Sequence, residues 1–255
     1  MKKIIILKHG GGELANQLWN FLSIYAYGLE VKAPVRNPSF FEYHLSFKFL
    51  RDERLATKCL SIFFRTPRRR SHPINKIARL AYLASAKVVE KINSGCIFSS
   101  ENNQNEAVYL PPTKALPANF ESSTKIYFTG WLFRNPSGLD KFRAELVKAF
   151  APNEKVADKV QEILTPLRQK FNRLVGIHIR QADYGEFKSG KYLIDQKRVR
   201  EIINEYAKNH NLDILKTVFI ITSDGRIDEN HFAGLNIYIS KENAVTDLFL
   251  LSKTF

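Results

Sequence analysis

The sequence predicts an α/β protein in which parallel β-strands alternate with α-helices. An apolar run near the start leads through three glycines into an amphipathic helix, and strand-like and helix-like segments alternate after residue 170. The composition, with 44% hydrophobic and 25% charged residues, is that of an ordinary folded domain. A chain of 255 residues is long enough to bury a sizeable core, in one large domain or two small ones.

The first predicted strand covers residues 2–7, a β-branched apolar run. It is followed by Gly10-Gly11-Gly12 and by a helix predicted over 14–29, where apolar residues recur at helical spacing. This order of strand, glycine-rich loop and helix is typical of the opening of a nucleotide-binding α/β unit. Between about 34 and 119 the pattern is weaker, and only a helical patch near 77–92 stands out.

The rest of the chain alternates regularly. The predicted elements are strands at 125–129, 174–180, 217–222 and 235–239, a turn at 135–138, and helices over 139–150, 154–167, 195–208, 227–232 and 244–251. Strands separated by helices imply parallel sheets with right-handed crossovers. We therefore predict two Rossmann-like domains, over 1–150 and 151–255.

Candidate binding residues lie at the carboxyl end of the predicted strand 174–180. Because side chains alternate between the faces of a strand, His178 and Arg180 point the same way. Open α/β sheets bind ligands at this end, and a guanidinium binds phosphate oxygens through two hydrogen bonds without losing its charge. Asp183 follows the strand and could orient Arg180 or accept a sugar hydroxyl. A purely structural ion pair at the strand end is the alternative interpretation.

The run at 175–184, Val-Gly-Ile-His-Ile-Arg-Gln-Ala-Asp-Tyr, resembles the His-x-Arg-Arg-Gly-Asp-Tyr motif of bacterial α-1,2-fucosyltransferases. That family belongs to a superfamily with the α-1,6- and protein O-fucosyltransferases. Three further blocks resemble the family in the same order along the chain. They are the glycine-rich opening at 10–21, Thr222-Ser223-Asp224, and Asp-Leu-Phe-Leu-Leu-Ser at 247–252.

The resemblance implies a glycosyltransferase of GT-B architecture, with two Rossmann-like domains. GDP-fucose would bind in the C-terminal domain, and an oligosaccharide or glycolipid acceptor at the cleft. L-Fucose would pass from GDP-fucose to a glycan hydroxyl with inversion and without a metal, so GDP-fucose is a donor substrate and no cofactor is expected. The sequence contains no Asp-x-Asp that could bind Mn²⁺ or Mg²⁺.

Carried over residue by residue, the resemblance assigns roles to the candidate site. Arg180 would hold the diphosphate and stabilise the charge that develops as GDP departs, and Asp183 is a candidate catalytic base. The donor-binding residues would be His178, Arg180, Ser223, Asp224, Gly11 and Gly12, and the acceptor or cleft residues Asn16, Gln17 and Tyr184.

The sequence departs from the family's pattern in several places. Gln181 stands where the family has a second Arg, Ala182 where it has Gly, and Ala15 replaces the Gly before Asn16. In the family the helix matched by 244–251 leads into a further strand and a Ser-Thr-Phe-Ser loop that binds the pyrophosphate. The sequence stops at Phe255 before either, so we expect a truncated C-terminal domain.

Two other functions remain open. A non-catalytic protein of the same fold could bind a nucleotide sugar or a glycan without turnover. The residues at 10–15 also fit the G-x-G-x-x-A fingerprint of an NAD(P)-binding oxidoreductase, although no strand ending in Asp or Glu follows at the usual distance. The motifs of P-loop NTPases, serine hydrolases and zinc sites are absent from the sequence.

A basic segment carries about half of the net charge of +14. Between Arg65 and Lys91 there are eight Lys or Arg, at 65, 68, 69, 70, 76, 79, 87 and 91, and one Glu. This segment suggests peripheral association with an anionic membrane, and a solvated loop explains it equally well. It lacks interleaved aromatics for stacking bases, so nucleic acid is not expected.

The compartment is predicted from cysteines and from apolar runs. The only cysteines are Cys59 and Cys96, too few for a disulfide framework. No signal peptide is recognised, because Lys8 ends the first apolar run, and no run approaches the ~18–20 residues of a membrane-spanning helix. We therefore expect a cytoplasmic protein, with the basic segment available for contact with a membrane surface.

Overall fold

In the computed structural model of the chain, the described residues are 4–9, 12–48, 50, 73–92, 96–99, 107–110, 123–181, 187–191 and 193–254. The chain divides into two compact units, Met1–Asn153 and Glu154–Phe255, and each is described by itself. The domains expected at 1–150 and 151–255 stay a prediction. No helix in the described part of the chain combines the length and the apolarity needed to cross a membrane.

The first unit is built on a four-stranded parallel sheet. Its elements are β1 Ile4–His9, α1 Leu14–Glu30, β2 Val35–Arg36, 3₁₀ turns Pro38–Phe40 and His44–Ser46, α2 Pro73–Ile92, β3 Cys96–Ser99, β4 Val108–Tyr109, β5 Lys125–Thr129, β6 Phe133–Arg134, α3 Pro136–Lys141 and α4 Arg143–Ala149. The strand order is β2-β1-β5-β3 with parallel neighbours throughout. Strands β4 and β6 form a separate parallel pair.

Aromatic side chains form much of the core of the first unit. Phe21 of α1 packs edge-on against Phe40 and Phe150, with ring centroids 5.5 and 5.0 Å apart. Such pairs contribute about 0.5–1.5 kcal/mol beyond the area they bury. Phe40 lies in a run of consecutive aromatic and polar residues that folds as short 3₁₀ turns. Because such turns have neither helical nor strand periodicity, the sequence pattern between 34 and 49 was weak.

The predicted turn at 135–138 is wrong, because α3 begins there. The Oδ1 atom of Asn135 accepts a hydrogen bond from the Gly138 N–H at 3.0 Å, which makes Asn135 the N-cap. Pro136 occupies the first helical position, where its missing N–H costs nothing. Asn and Pro favour both turns and helix starts, so the residue types alone did not separate the two.

The second unit contains a three-stranded parallel sheet in the order β7-β8-β9. Its elements are α5 Glu154–Lys170, β7 Arg173–Ile179, 3₁₀ turn Phe187–Gly190, α6 Gln196–Asn209, 3₁₀ turn Ile214–Lys216, β8 Thr217–Ser223, 3₁₀ turn Glu229–Phe232, β9 Asn236–Ile239 and α7 Ala244–Leu251. The predicted strands and the three longer helices are confirmed, with ends that differ by up to three residues. The short helix expected at 227–232 is a single 3₁₀ turn.

Strand β8 supplies both cores of the second unit. Val218 and Ile220 pack with residues of α5 and α7, while Phe219 and Ile221 pack on the other face with residues of α6. All four side chains are at most 1% exposed. A central strand that is apolar on both faces requires helices on both sides of the sheet. This arrangement removes both faces of β8 from solvent, and Ser223 at its carboxyl end is only partly buried.

Close packing of α1 against the loop before β2 generates a stability prediction. A Cβ atom at Gly28 would lie 2.8 Å from the Ala33 carbonyl oxygen and would also overlap the side chain of Val35. Gly28→Ala should therefore lower the free energy of unfolding by about 1–3 kcal/mol, despite the better helix propensity of Ala. Urea denaturation followed by circular dichroism measures the change.

The double variant Gly28→Ala/Val35→Ala is the matched control. It removes the Val35 overlap and should recover part of the loss. If Gly28→Ala is instead as stable as the parent chain or more stable, the close approach does not exist.

Candidate functional site

The carboxyl ends of β7 and β8 bring together four of the six predicted donor-binding residues, His178, Arg180, Ser223 and Asp224. His178 pairs in register with Thr222, and Ile179 with Ser223, so both strands end at the same level. Arg180 follows β7 directly, and Asp224 follows β8. Parallel strands of an open α/β sheet present their ligand-binding residues at this edge.

Arg180 and Asp224 form an ion pair at this edge. The Nε atom of Arg180 lies 3.5 Å from Oδ2 of Asp224, and the two side chains are 37% and 20% exposed. The other carboxylate oxygen of Asp224 accepts a hydrogen bond from the Gln181 N–H at 2.7 Å. Asp224 therefore holds both the Arg180 side chain and the backbone that follows it, while the guanidinium stays accessible to a ligand.

His178 lies beside this pair as a hydrogen-bonding group. Its Nδ1 atom is 3.1 Å from the Thr222 hydroxyl oxygen. Burial lowers the pKa of His178 below its ordinary value, and the charge of Arg180 acts in the same direction, whereas Asp224 opposes them. The lowered pKa favours the neutral imidazole, and Arg180 supplies the permanent positive charge at this position.

Ser223 and Gln181 shape the loops that carry the ion pair. The Ser223 hydroxyl accepts a hydrogen bond from the Gly225 N–H at 3.0 Å, which fixes the turn after β8. A Cβ atom at Gly225 would lie 2.8 Å from the Gln181 side chain, so the two loops approach closely. Gln196 at the start of α6 donates to the Arg226 carbonyl at 2.9 Å and accepts from the Asp228 N–H at 2.9 Å. Sequence reasoning missed Gln196 because nothing distinguishes it from other polar residues that begin a helix.

Asp247 of α7 lies at the end of the neighbouring strand. One of its carboxylate oxygens is 2.5 Å from the hydroxyl oxygen of Ser240, which follows β9. Burial raises the pKa of Asp247 to about 6, against the opposing effect of the Ser240 hydrogen bond. This residue, matched above to a family block, thus joins β9 to the first turn of α7.

In the first unit, Gly12, the last residue of the glycine-rich sequence, is held from inside the fold. Gly12 has φ of +72°, and a Cβ atom there would lie 2.5 Å from Nδ2 of Asn16. Gln17 is 1% exposed, and its amide donates to the Gly12 carbonyl at 3.0 Å and to Oε2 of Glu42 at 3.2 Å. Asn16 is exposed beside the loop, whereas Gln17 faces inward. Contact of either residue with an acceptor stays a prediction.

The carboxylate that accepts from Gln17 belongs to a buried ion pair that the sequence did not reveal. Arg79 of α2 lies 2.5 Å from Oε2 of Glu42, and the two side chains are 6% and 0% exposed. Arg79 also donates to the Ser39 carbonyl at 3.1 Å, and its guanidinium lies 4.8 Å from the ring centroid of Phe41. Glu42 stands within the aromatic run, and a lone acidic residue in such a run was the one available signal that it is buried and paired.

Tyr43 and Glu13 form a second contact near the start of α1. The Tyr43 hydroxyl donates to Oε2 of Glu13 at 3.2 Å. Burial raises the pKa of Tyr43 well above its ordinary value, and the charges of Glu13 and Glu42 raise it further. Tyr43 therefore remains a protonated donor, and Glu13 keeps a hydrogen bond beside Gly12.

Three predicted site residues, Gly11, Asp183 and Tyr184, lie outside the described residues. Among the described residues, no three His, Cys, Asp or Glu side chains are grouped so that they could hold a metal ion. A cavity of about 400 Å³ lies along β7, but its lining on that strand runs from Arg173 to Ile177 and is mainly apolar. It is therefore separate from the edge where Arg180 and Asp224 meet.

Comparison with known proteins gives matches in structure. No protein-family model matches the chain, and no curated protein matches its sequence. The α-1,6-fucosyltransferase NodZ, in a crystal soaked with GDP-fucose, matches with a TM-score of 0.56 at 11% identity, over 99% of this chain and 86% of that one. A selenomethionine form of the fucosyltransferase NodZ from Bradyrhizobium gives a TM-score of 0.52 at 9% identity, over 99% and 82%. A mutant of FUT1 from Arabidopsis thaliana in complex with GDP gives 0.50 at 12% identity, over 100% and 65%.

At 9–12% identity these likenesses establish the fold. The chain has a mixed α/β fold with parallel sheets that is similar to the fold of solved fucosyltransferases, so the predicted fold class is confirmed. The GT-B arrangement of two domains and the truncation of the second stay predictions.

The buried ion pair generates a second stability prediction. Replacing Arg79 by Met leaves Glu42 buried without its counter-charge, so Arg79→Met should cost about 3–5 kcal/mol of unfolding free energy. Urea denaturation of the parent chain and the variant measures this loss.

The double variant Glu42→Leu/Arg79→Met removes both charges and is the matched control. It should be more stable than Arg79→Met alone, because no uncompensated charge remains in the core. Equal stability of Arg79→Met and the parent chain would show that the pair contributes nothing.

The raised pKa of Asp247 generates a prediction about pH. In the folded chain this carboxyl binds its proton more tightly than at its ordinary pKa of 3.8, so its stabilising contribution is full below pH about 4 and is lost as the pH rises through about 6. The parent chain should therefore lose stability as the pH rises between these values, and Asp247→Asn should abolish that loss. Unfolding free energies of both chains, measured in parallel across this range, test the difference, and identical pH profiles would contradict it.

Proposed function

We propose that the chain transfers L-fucose from GDP-fucose to a glycan hydroxyl. The observation that carries the proposal is the accessible Arg180–Asp224 pair at the carboxyl edge of a parallel sheet, in a chain whose fold is similar to that of fucosyltransferases. One of those neighbours was soaked with GDP-fucose and another is in complex with GDP. An exposed guanidinium at this edge is best suited to bind the diphosphate of a nucleoside diphosphate.

Arg180 would act on the leaving group. As the bond between the fucose anomeric carbon and the diphosphate oxygen breaks, negative charge grows on that oxygen. A guanidinium already held in place by Asp224 stabilises this charge without reorganising, and loss of one such group typically costs about 10²–10³ in rate. Neutral His178 would donate or accept a hydrogen bond beside the donor.

The finer features of the reaction rest on the sequence resemblance. They are inversion at the anomeric carbon, independence from metal, an α-1,2 linkage, and Asp183 as the base that takes the proton of the acceptor hydroxyl. In a single displacement the acceptor oxygen bonds to the anomeric carbon as GDP leaves, which inverts the centre. The acceptor would be an oligosaccharide or a glycolipid.

The oxidoreductase alternative gains no support from the first unit. Strand β2, next to β1, ends at Arg36, and the next residue is Asn37 rather than an acidic residue. Dinucleotide-binding folds use an acidic residue near this position to bind the ribose 2′-hydroxyl of NAD. Glu30 instead accepts a hydrogen bond from the Asn135 side chain at 3.1 Å.

Isothermal titration calorimetry with GDP, GDP-fucose and NAD tests donor binding. We expect GDP and GDP-fucose to bind, and Arg180→Ala to weaken both by about 10- to 100-fold, because charge-assisted hydrogen bonds to the diphosphate are lost. Arg173→Ala is the matched control: Arg173 is an exposed residue at the opposite end of the same strand, and its loss should leave the affinity unchanged. Binding of NAD alone would overturn the proposal.

A transfer assay then separates an enzyme from a binding protein. Incubation with GDP-fucose and a galactoside acceptor should release GDP and give a fucosylated product, and Arg180→Ala should reduce the rate by about 10²–10³. Tight binding of GDP-fucose without product, over a panel of galactosides, would instead favour the non-catalytic alternative.

A further inference from the structure

Helix α2 buries polar residues and exposes apolar ones. Asn75 and Arg79 are 0% and 5% exposed, whereas Ile77, Leu80 and Val88 are 69%, 68% and 57% exposed. Isolated exposed apolar side chains are common on proteins, but a helix whose outer face is the apolar one is not. The orientation of α2 is therefore the feature to explain.

Four of the exposed apolar residues of α2 form one continuous row. Ile77, Ala81, Ala84 and Val88 are all exposed and follow one another at spacings of four, three and four residues. This spacing keeps them on one side of the helix, and with a rise of 1.5 Å per residue the row is about 16 Å long. Leu80 lies at its margin. We call these five residues the outer row of α2.

The buried ion pair fixes the rotation of α2. Arg79 points inward to Glu42, and Tyr82 packs on the same side against Phe41. If α2 rolled to cover its outer row, Arg79 would leave Glu42 buried without its counter-charge, which is strongly unfavourable. The fold thus holds the outer row toward solvent.

The charge of α2 and of the sequence that precedes it indicates what the outer row contacts. The segment from Arg65 to Lys91 has eight Lys or Arg and one Glu, and of these cations Arg79 alone is turned to the core in the described part of the helix. Lys76 is exposed next to the outer row, and the sequence places further lysines at 87 and 91 of the same helix. An apolar row with basic neighbours is the composition of helices that lie in the plane of anionic membranes.

We propose that α2 docks on an anionic membrane surface through its outer row. The helix is 20 residues long, and no helix of the described chain is apolar enough to span a membrane, so the contact is interfacial. Ile77, Leu80 and Val88 enter the boundary between headgroups and acyl chains, and exposed Lys76 binds a lipid phosphate. This inference does not depend on the proposed transfer of fucose.

Vesicle co-sedimentation of the full chain tests the proposal. The chain should sediment with vesicles of phosphatidylcholine containing about 30% phosphatidylglycerol, and little with phosphatidylcholine alone, since anionic lipid supplies the electrostatic part of binding. Binding should weaken as salt is raised, because salt screens exposed charges. A chain that stays in the supernatant with anionic vesicles at low salt overturns the proposal.

Ile77→Ser/Leu80→Ser tests the outer row itself. Both side chains are more than two-thirds exposed, so their loss should leave the thermal unfolding midpoint nearly unchanged while reducing the vesicle partition coefficient by at least about tenfold. Val88→Ser alone should give a smaller loss in the same direction. Val147→Ser in α4 is the matched control, 67% exposed, and should partition like the parent chain.

The same variants distinguish a protein partner from a membrane. Light scattering without lipid should detect no self-association of the parent chain through the outer row. A dimer that Ile77→Ser/Leu80→Ser dissociates would assign this face to a second copy and overturn the membrane proposal. Equal partition of all four chains into anionic vesicles would also overturn it, since charge alone would then account for binding.

Discussion

The buried ion pair between Glu42 and Arg79 is the constraint on which the first unit depends. Two charges removed from water are stable only when they satisfy each other, so each residue specifies where the other must be. Glu42 also accepts from Gln17, which in turn holds the Gly12 carbonyl. One carboxylate thus connects the rotation of α2 with the conformation of the glycine-rich loop. Gly12 is held in place by a polar contact from the core, and the outer face of α2 is a consequence of the same network.

The second unit relies on a different principle. Strand β8 is apolar on both faces, and its burial alone fixes the helices on either side of the sheet. Polar chemistry is confined to the residues where the strands end, and there the contacts are short-range: Asp224 holds Arg180 and the backbone of Gln181. A rigid apolar sheet with a polar edge suits a site that must keep a guanidinium in place while its ligand changes charge.

Features with local periodicity were predictable from the sequence. The strands at 125–129 and 217–223 and the helix at 244–251 follow from apolar runs and helical spacing, and the side-by-side placement of His178 and Arg180 follows from strand alternation. Contacts between distant residues were not predictable. Glu42 and Arg79 are 37 residues apart, and Gln181 and Asp224 are 43 apart, with no pattern linking them. Asp183, which the sequence offered as the carboxylate that orients Arg180, lies outside the described residues, and the contact of Arg180 with Asp224 was not anticipated. The aromatic run around Phe40 had no period because it forms turns.

The N-termini of α6 and α7 are a second possible source of phosphate-binding groups at the carboxyl edge, besides side-chain cations. Helix N-termini commonly bind phosphate through their first N–H groups. In α7 the Asn243 side chain already accepts from the Val245 and Thr246 N–H groups, and in α6 Asp195 accepts from Arg198. These caps occupy three of the N–H donors that a phosphate could use, and Gln181 adds no charge beside Arg180. Recognition of a diphosphate by the described part of this edge therefore falls on side-chain cations: Arg180, which Asp224 holds, and exposed Arg226 in the loop after β8. The geometry of Asp224 decides how much of the Arg180 guanidinium faces the ligand.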